Sequence, residues 1–277
     1  MLSLLIFIAW ILFPNTPNKL TVIDQQQISY FSTCPTLVNT EQKQSSKALK
    51  PTFSLLNWNI YKQQNEQWSE KLNEWVGQAD LITLQEAKHS PALINFSEQQ
   101  NLYYFQNVAF IHHGNNYGVD TFSRTQAQQV CGTRYLEPWI LIPKTGLAST
   151  YQIQDSSQTL LLINLHGVNF TFTAEPLKEQ VTPYLELIRQ HKGPVIFTGD
   201  LNTWSDARTS QIKNFLASTG FDETKFSDDN RITAFGLPLD HVFYRGLKVI
   251  KAQSISTIAS DHSPQLVTFS LLAENKN

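Results

Sequence analysis

Short apolar runs separated by polar turns recur from residue 53 to residue 271, and this texture limits the fold more than any other feature. Runs of this length bounded by turn residues are typical of buried β-strands. Three other segments place apolar side chains on one face at helical spacing. Many strands with a few interspersed helices, and no regular strand–helix alternation, predict an α+β domain in which two β-sheets pack together and helices flank them.

The individual elements can be predicted from the same pattern. The predicted helices are residues 68–76, 177–189 and 205–216, the last capped by Ser205. The predicted strands are residues 53–60, 81–85, 103–112, 118–123, 139–143, 160–164, 195–198, 240–244 and 266–271.

The chain before this region has a different texture. Residues 14–50 contain three prolines and a polar stretch and sustain neither a helical nor a strand period, which predicts a linker. Residues 2–13 are almost entirely apolar but fall short of the ~20 residues needed to span a bilayer. We therefore divide the chain into an apolar segment (residues 1–13), a linker (14–50) and a folded domain (51–272).

The apolar segment bears on location. It has the length of a signal-peptide core, although no Lys or Arg precedes it and no clear cleavage site follows. It favours a membrane-associated or exported protein, with membrane contact through residues 2–13, and a cytoplasmic protein is the alternative. The two cysteines, Cys34 and Cys131, lack the spacing of a zinc site, and the sequence leaves open whether they form a disulfide.

Charge narrows the class of partner. The formal net charge is −2, whereas a protein held on long nucleic acid by phosphate contacts usually carries a basic excess. The slightly negative net charge favours small phosphoesters or lipid headgroups, rather than long nucleic acid, as the binding partner.

Three candidate functional residues stand at the ends of apolar runs. Asn59 ends the first run of the domain, Glu86 ends the second, and His166 ends the run that begins at Leu160, with Asn169 three residues later. A rigid scaffold presents ligand-binding side chains at such positions. Taken singly, each of these residues is more often structural than functional.

The run that begins at Val195 carries a sharper signal. It ends in Gly199-Asp200-Leu201-Asn202, so a buried strand delivers Gly, Asp and Asn at a sharp turn. Asp200 could orient or deprotonate a water molecule, and Asn202 could donate to a phosphoryl oxygen. A structural Asp/Asn turn that closes the strand is the alternative.

Two Asp-His pairs complete the set. Asp240 precedes His241 at the start of a predicted strand, and Asp261 precedes His262 shortly before the last strand. Asp261 could bind a metal, and Asp240 could fix the tautomer of an imidazole. All these groups are oxygen donors or imidazoles without a thiolate, which suits Mg²⁺ and phosphoryl transfer to water.

These motifs resemble a known family. Trp58-Asn59, Gln85-Glu86, Gly199-Asp200-Leu201-Asn202, Leu239-Asp240 and Ser260-Asp261-His262 occur in the order seen in the endonuclease/exonuclease/phosphatase superfamily. The stretches around Trp58, His166 and Asp240 are more similar still to the bacterial YafD group. The resemblance covers about residues 51–271 and implies a four-layer, deoxyribonuclease-I-like sandwich with the catalytic site at one edge of the two sheets.

The resemblance also implies a role for each candidate residue. Glu86 would be the main ligand of Mg²⁺, or of Mn²⁺ as an alternative, with Asn59 and Asp261 nearby. Asp200 would orient or activate the attacking water, and Asn202 would stabilise the transition state. The remaining roles fall to His262, which would contact the phosphate or transfer a proton while held by Asp240, and to His166 and Asn169, which would contact substrate.

Two departures from the family pattern narrow these expectations. Tyr61 stands where many members carry an acidic or amide residue, which leaves a second metal position in doubt. His166 stands where abasic-site nucleases carry Tyr, which favours a phosphodiesterase or phosphatase. The sequence therefore predicts a monomeric, metal-dependent hydrolase of small, lipid or nucleic-acid phosphoesters. A DNA or RNA nuclease and a catalytically silent binding module on the same fold are the alternatives.

Overall fold

Two β-sheets pack face to face in the computed structural model, which describes residues 14–41 and 47–272. Helices cover the outer face of each sheet, so the order of layers is helix, sheet, sheet, helix. This arrangement confirms the α+β four-layer sandwich expected from the sequence. Residues 1–13, expected to form an apolar segment, lie outside the described residues.

The first sheet has eight strands in the order β16-β17-β4-β5-β7-β6-β1-β2. Its only parallel pair among the described strands is β4 with β5, and its other neighbours are antiparallel. The strands are β1 (Val22–Asp24), β2 (Ser29–Tyr30), β4 (Thr52–Asn59), β5 (Leu81–Lys88), β6 (Tyr103–His112), β7 (Asn115–Ser123), β16 (Leu247–Ser254) and β17 (Gln265–Leu271).

The second sheet has seven strands in the order β12-β15-β11-β10-β9-β8-β3, with β10 and β11 parallel. A separate hairpin, β13 with β14, stands apart from both sheets. The strands are β3 (Val38–Asn39), β8 (Gln129–Leu136), β9 (Pro143–Gln152), β10 (Thr159–Leu165), β11 (Val195–Asp200), β12 (Asp222–Glu223), β13 (Thr233–Ala234), β14 (Leu237–Pro238) and β15 (Asp240–Arg245).

Four α-helices cover the sheets. The first sheet packs against α1 (Trp68–Val76) and α2 (Pro91–Gln99), and the second packs against α3 (Glu175–Gln190) and α4 (Asp206–Ala217). In α1 the buried side chains Trp68, Leu72, Trp75 and Val76 recur at helical spacing, and this apolar stripe docks the helix. The Ser205 side chain caps α4 by accepting a hydrogen bond from the Arg208 amide.

The packing of the two sheets positions the site. The inner core joins residues of both sheets, among them Leu55, Leu81, Leu162 and Ile196. The parallel pairs β4–β5 and β10–β11 come from opposite sheets and contact each other across this core. Their carboxyl ends carry candidate residues, and carboxyl ends of parallel strands are where open α/β sheets bind ligands.

The linker prediction for residues 14–50 differs from the structure. Strands β1 and β2 extend the first sheet through β6, and β3 pairs with β8 at the edge of the second sheet. The described parts of this region therefore belong to the folded domain. Strands of two or three residues are too short to show a period, and distant partner strands supply their hydrogen bonds.

The prediction of a strand at residues 139–143 is also wrong. Residues 137–142 form a loop in which Trp139, Ile140 and Leu141 are exposed, and the strand β9 begins only at Pro143. The prediction failed because an apolar run was taken to be buried, whereas Trp139 and Leu141 face outward at 60% and 65% exposure. The predicted elements also omit β8, β16 and α2, and they overlap β9 at Pro143 alone.

The two cysteines form a disulfide. Cys34, in the segment between β2 and β3, is bonded to Cys131 on β8, and both are buried. The bond fastens the N-terminal part of the domain to the second sheet. None of the helices in the described ranges is both long and apolar enough to cross a bilayer.

Candidate active site

The first sheet supplies Asn59 and Glu86 from the ends of two adjacent parallel strands. Asn59 is the last residue of β4 and is 2% exposed. Glu86 lies where the pairing of β5 with β7 shifts register between Leu84 and Ala87. Its φ of 53° is a left-handed value that non-glycine residues avoid. Strained backbone conformations are concentrated at functional sites. Here the strain lies at the irregularity in the pairing of β5 with β7, at Glu86 itself.

The second sheet supplies the residues that follow β10 and β11. His166 comes directly after β10, Asp200 ends β11, and Asn202 follows two residues later with a φ of 51°. Gly199 makes the close approach of these strands feasible, because a Cβ there would lie 1.9 Å from the Leu165 carbonyl oxygen. Its φ of 142° is also restricted for other residues.

The two sets of side chains meet at Asp200. The Asn59 amide Nδ2 donates to Asp200 Oδ2 at 3.0 Å, across 141 residues of sequence. His166 Nε2 lies 3.5 Å from Asp200 Oδ2 and 3.7 Å from Glu86 Oε1. His262 Nε2 lies 3.9 Å from the same Asp200 oxygen. The structure therefore brings these five side chains into one cluster at the edge of both sheets.

Asp240 and His262 form a buried pair within this cluster. Oδ2 of Asp240 lies 2.7 Å from Nδ1 of His262, and the Trp58 indole donates to the His262 carbonyl at 2.9 Å. Burial alone would lower the pKa of His262, but Asp240 and Asp200 outweigh burial and raise this pKa to about 10. His262 is therefore an imidazolium at neutral pH.

Asp200 is ionised at the same pH. Burial raises its pKa, the positive charge of His262 opposes that rise, Asp240 adds to it, and the result is a pKa of about 6. The Asn202 backbone N–H donates to Asp200 Oδ1 at 3.0 Å, which orients the carboxylate. The cluster thus holds a carboxylate that can accept a proton beside an imidazolium that can donate one.

Two lysines surround Glu86. Lys62 Nζ forms an ion pair with Glu86 Oε2, and Lys144 Nζ lies 3.7 Å from Glu86 Oε1. Burial would raise the pKa of Glu86, but His166, Lys144 and Lys62 lower it to about 2. Burial and Lys144 keep the pKa of His166 well below its usual value. Since His166 is then neutral at neutral pH, the lysines are what keep Glu86 ionised there.

A cavity of about 270 Å³ opens beside these charged groups. Lys62, Glu86, Lys144, His166 and Asn169 provide its polar lining. Phe110, Tyr117, Ile140 and Phe170 are among the apolar side chains on its walls. The cavity joins a positively charged end, suited to an anion, to an apolar wall.

Neither lysine was among the residues predicted from the sequence. Lys62 follows Asn59 by three residues, in a turn where Tyr61, Lys62 and Gln63 all have positive φ. That turn carries the Lys62 side chain back to Glu86, and no local pattern of sequence signals it. Lys144 is the second residue of β9, and its Nζ lies 2.8 Å from His166 Nε2. A lysine has only hydrogen-bond donors, so Nε2 of His166 accepts in this contact.

Arg208 is a further missed residue, and it acts on the site through the backbone. Its side chain is 1% exposed and donates to the Asn202 carbonyl at 2.6 Å and to Thr171 Oγ1 at 2.7 Å. It also donates to the Val168 carbonyl. One guanidinium thus ties the loop after β10 to the loop after β11, which fixes His166 and Asn202 relative to each other.

Asp261 and Asn169 lie at the border of the cluster. Asp261 is exposed, and Ser260 Oγ lies 3.2 Å from Asp261 Oδ1 and 2.7 Å from the Asn59 carbonyl oxygen. Asn169 lines the cavity, and Glu137 holds its backbone N–H. Asn202 uses its amide Nδ2 to donate to the Gly167 carbonyl at 2.9 Å, which leaves the second N–H of that amide for another acceptor.

The donor chemistry of the cluster can be tested against a divalent metal ion. The pKa of Glu86 is low, and carboxylate and amide oxygens are ligand types that Mg²⁺ prefers. The Asn59 amide oxygen accepts from the Tyr61 backbone N–H at 3.0 Å, which leaves its second lone pair for an ion. The Lys62 ammonium pairs with Glu86, so a cation already occupies one side of that carboxylate. Across residues 14–41 and 47–272, no three acidic, His or Cys side chains converge as ligands of one ion. The donors fit Mg²⁺ in chemical type, and Lys62 competes for the principal one.

Known proteins resemble this chain in sequence and in fold. Residues 56–262 match the model of the Endonuclease/Exonuclease/phosphatase family. A UPF0294 protein of Vibrio cholerae serotype O1 is 39% identical over 266 residues, which cover 95% of this chain and 92% of that protein. Another, from Yersinia enterocolitica, is 41% identical over 222 residues, covering 79% of this chain and 85% of that protein.

Solved structures share the fold at low sequence identity. The catalytic domain of human Nocturnin with bound sulfate superposes with a TM-score of 0.65 and 16% identity, covering 82% of this chain and 97% of that domain. The D. rerio TDP2 structure complexed with a single-strand DNA product has a TM-score of 0.58 and 16% identity, covering 79% of this chain and 99% of that one. From its matched residues and its relatives, the chain belongs to the endonuclease/exonuclease/phosphatase family and, within it, to the YafD group of UPF0294 proteins.

Proposed function

We propose that this protein is a divalent-metal-dependent hydrolase that uses water to cleave phosphoester bonds. The observation that carries the proposal is a convergence of side chains: His262 Nε2 lies 3.9 Å from Asp200 Oδ2, and His166 Nε2 lies 3.5 Å from that oxygen and 3.7 Å from Glu86 Oε1. Hydrolysis of a phosphoester needs one group that takes a proton from water and another that balances charge on the phosphate or the leaving oxygen. A carboxylate with a pKa of about 6 and an imidazolium with a pKa of about 10 meet both needs at neutral pH.

The proposed reaction assigns each group one task. The water oxygen forms a bond to phosphorus, and its proton goes to the Asp200 carboxylate. The bond from phosphorus to the leaving oxygen breaks, and His262 donates the proton that this oxygen takes up, while Asp240 holds the imidazolium. The free N–H of the Asn202 amide donates to a phosphoryl oxygen in the transition state.

His166, Lys144 and Lys62 serve to bind the phosphate. They line the cavity next to Asp200, and the two ammonium groups attract an anion. Asn169 lies at the same wall and offers an amide to substrate.

Glu86 and Asn59 would hold the metal ion, with Asp261 next to them. When bound, the ion would supply positive charge that stabilises the negative oxygens of the phosphate. Lys62 pairs with Glu86, so an ion held by that carboxylate would displace this lysine. Lys62 is 36% exposed at its side chain, so room for that movement exists.

A nuclease with the same site is the second candidate. The TDP2 structure with a single-strand DNA product shows that a protein of this fold binds nucleic acid. The net charge of −2 argues against a long nucleic-acid substrate here. Activity on plasmid DNA or RNA that falls steeply as salt is raised would favour the nuclease.

The proposal is tested with bis-p-nitrophenyl phosphate as substrate and Mg²⁺ or Mn²⁺ as cofactor. Glu86→Gln and His262→Ala should each lower the rate about 100-fold or more, because each removes a charge from the reacting centre. EDTA should abolish activity in the unmodified protein, and added Mg²⁺ should restore it. Near-normal turnover in either variant, or in EDTA, contradicts the assignment.

Matched variants control for general damage. Glu74→Gln changes an exposed carboxylate that pairs with Lys71 on α1, and His112→Ala changes a partly exposed histidine at the end of β6. Both should keep the rate of the unmodified protein. Circular dichroism and thermal unfolding of all four variants show whether a lost rate reflects lost fold.

A further inference from the structure

An exposed apolar surface adjoins the cavity that Lys62, Glu86 and Lys144 line. We call it the apolar rim and define it by Trp139, Ile140, Phe170, Phe172, Trp204 and Phe235. These side chains come from the loop before β9, the loop after β10, the loop after β11 and the tip of the β13–β14 hairpin. Four loops from different parts of the chain thus present apolar side chains in one place.

Several side chains of the rim are largely exposed to solvent, although large apolar side chains are usually buried in a folded domain. Phe235 is 90% exposed, Phe172 is 84% exposed and Trp139 is 60% exposed. The rings of Trp139 and Phe172 lie 4.5 Å apart, so part of the surface is clustered rather than scattered. A contiguous apolar patch of this kind marks a surface that contacts something outside the domain.

The backbone at Phe235 supports the same conclusion. Phe235 and Gly236 form the tip of the β13–β14 hairpin with φ values of 53° and 81°. Two-residue hairpin turns with positive φ strongly prefer Asn or Gly, because a larger side chain in this conformation is strained. The Phe235 ring lies 6.3 Å from the Trp204 ring, and the side chain is almost fully exposed, so most of its surface is available to a partner.

The rim and the phosphate-binding cavity are continuous. Ile140, Asn169 and Phe170 line both. The cavity contains Lys62 and Lys144, whereas none of the described residues that line the rim groove carries a charge. A ligand that spans both would need an anionic group at one end and an apolar chain at the other.

The first residues that the structure describes lie beside this opening. Residues 2–13 lead into Asn15, whose backbone forms hydrogen bonds in both directions with Ile111 on β6. The adjacent Phe110 lines the catalytic cavity. The described chain thus begins next to the wall of the cavity, and the stretch that precedes it in the sequence is apolar.

We infer that the apolar rim docks on a phospholipid surface and that the substrate is a phosphoester with an apolar chain, drawn from that surface. This inference rests on the proposed function. The phosphate would lie between Lys62 and Lys144, and the chain would lie along Phe170 and Ile140. Aromatic and aliphatic side chains without neighbouring charges suit the boundary of a bilayer, whereas nucleic-acid surfaces combine aromatics with a basic groove.

Docking is tested without any reference to activity. The full chain carrying Trp10→Phe is mixed with vesicles of phosphatidylcholine and phosphatidylglycerol whose acyl chains are brominated, because bromine quenches nearby tryptophan fluorescence. Trp58, Trp68 and Trp75 are buried, so quenching reports on Trp139 and Trp204. We expect quenching that decreases when Trp139→Phe is added and is lost when Trp204→Phe is added as well.

Four outcomes of this measurement would overturn the inference. The first is a protein that floats with vesicles while its tryptophans are not quenched, because the N-terminal segment alone would then bind. The second is a protein that does not bind vesicles at all. The third is a response of Trp139 to a single-stranded oligonucleotide but not to vesicles. The fourth is protection of Trp139 fluorescence from quenching by iodide before vesicles are added. Residues 2–13 or a second copy of the chain would then cover the rim.

A matched pair of variants extends the test. Phe172→Ser with Phe235→Ser should weaken vesicle binding about tenfold or more, because two exposed aromatic rings no longer enter the lipid. Phe31→Ser with Ile250→Ser removes two exposed apolar side chains away from the rim and should leave binding unchanged. If both pairs of substitutions weaken vesicle binding equally, the rim is not the surface that docks.

The substrate is tested with a fluorescent phospholipid in vesicles and with bis-p-nitrophenyl phosphate in solution. The Phe172→Ser, Phe235→Ser variant should lose about tenfold in rate on the phospholipid and keep its rate on the soluble ester. Hydrolysis of the soluble ester with none of the phospholipid overturns the substrate assignment alone. If neither ester is hydrolysed, the proposed function fails, and the quenching experiment still decides whether the rim docks.

Discussion

Asp240 Oδ2 lies 2.7 Å from Nδ1 of His262 and fixes the orientation of that imidazole. The two residues come from β15 and from the loop before β17, and the Gln265 amide Nε2 donates to the Asp240 carbonyl at 3.0 Å. His262 therefore faces Asp200 because Asp240 holds it from the other side. The charge of His262 also depends on this carboxylate.

Asp240→Asn should lower kcat by about 100- to 1000-fold, because a neutral amide neither stabilises the imidazolium nor fixes its proton positions. The KM for bis-p-nitrophenyl phosphate should change little, since Asp240 does not line the cavity. Steady-state kinetics measures both constants. Asp155→Asn alters an exposed carboxylate in the turn between β9 and β10 and should keep full activity. An unchanged kcat in Asp240→Asn would show that His262 needs no orienting partner.

Lys62→Met should strengthen the binding of Mn²⁺ roughly two- to fivefold, the range expected from losing a partly exposed ion pair. The reason is that the Lys62 ammonium occupies the Glu86 carboxylate that a metal ion would use. Isothermal titration calorimetry measures the affinity directly. Lys71→Met removes a comparable lysine on α1, and its affinity should equal that of the unmodified protein. Weaker binding in Lys62→Met would mean that Lys62 does not compete with the ion.

Asp120→Asn should stabilise the protein above neutral pH. Asp120 is fully buried on β7, and burial raises its pKa to about 7, partly offset by Gln106. The folded protein therefore keeps this proton up to about pH 7, whereas the unfolded chain releases it near ~3.9. Because the folded state binds more protons between these values, stability falls as pH rises through this window and is level above it.

The substitution removes this loss of stability, which is at most about 4 kcal/mol at alkaline pH. Urea unfolding at about pH 4 and about pH 8 measures the difference, and the gain in free energy of unfolding should appear mainly at the higher pH. Asp228→Asn, at an exposed position, provides the comparison. Equal gains at both pH values would show that Asp120 carries no such penalty.

Loss of the disulfide should destabilise the domain. Cys34 and Cys131 are 97 residues apart in sequence, and opening a loop of this length lowers the free energy of unfolding by roughly 4–5 kcal/mol in a chain-entropy model. Urea unfolding of the oxidised protein, the reduced protein and the Cys34→Ala, Cys131→Ala variant measures the change. The reduced protein and the double variant should lose similar amounts, and equal stability of the oxidised and reduced forms would contradict the expectation.

Much of the fold could be predicted from local pattern. The helix α1 occupies the predicted residues, and the strands β4, β6, β11 and β17 lie within a few residues of their predicted bounds. These elements have long apolar runs or a clear helical stripe, which are signals carried within a single stretch of chain. Asn59, Glu86, Asp200 and His262 could be selected for the same reason, since each stands at a recognisable position next to such a run.

Other features depend on partners that are distant in sequence. Strands β1, β2 and β3 are stabilised by pairing with β6 and β8 and have no period of their own. Lys144 reaches His166 only because β9 and β10 are neighbours, and Arg208 reaches the Asn202 carbonyl only because α4 packs below that loop. No local sequence pattern indicates these contacts.

The sequence by itself determined which runs become buried strands and which polar residues stand at their ends, because apolar burial and strand alternation are local properties of the chain. Only the tertiary structure decided which of those ends meet, which lysines join them, and that the apolar residues at 139–141 face outward. Whether an apolar side chain is buried depends on what packs against it, and that neighbour is set by the whole fold.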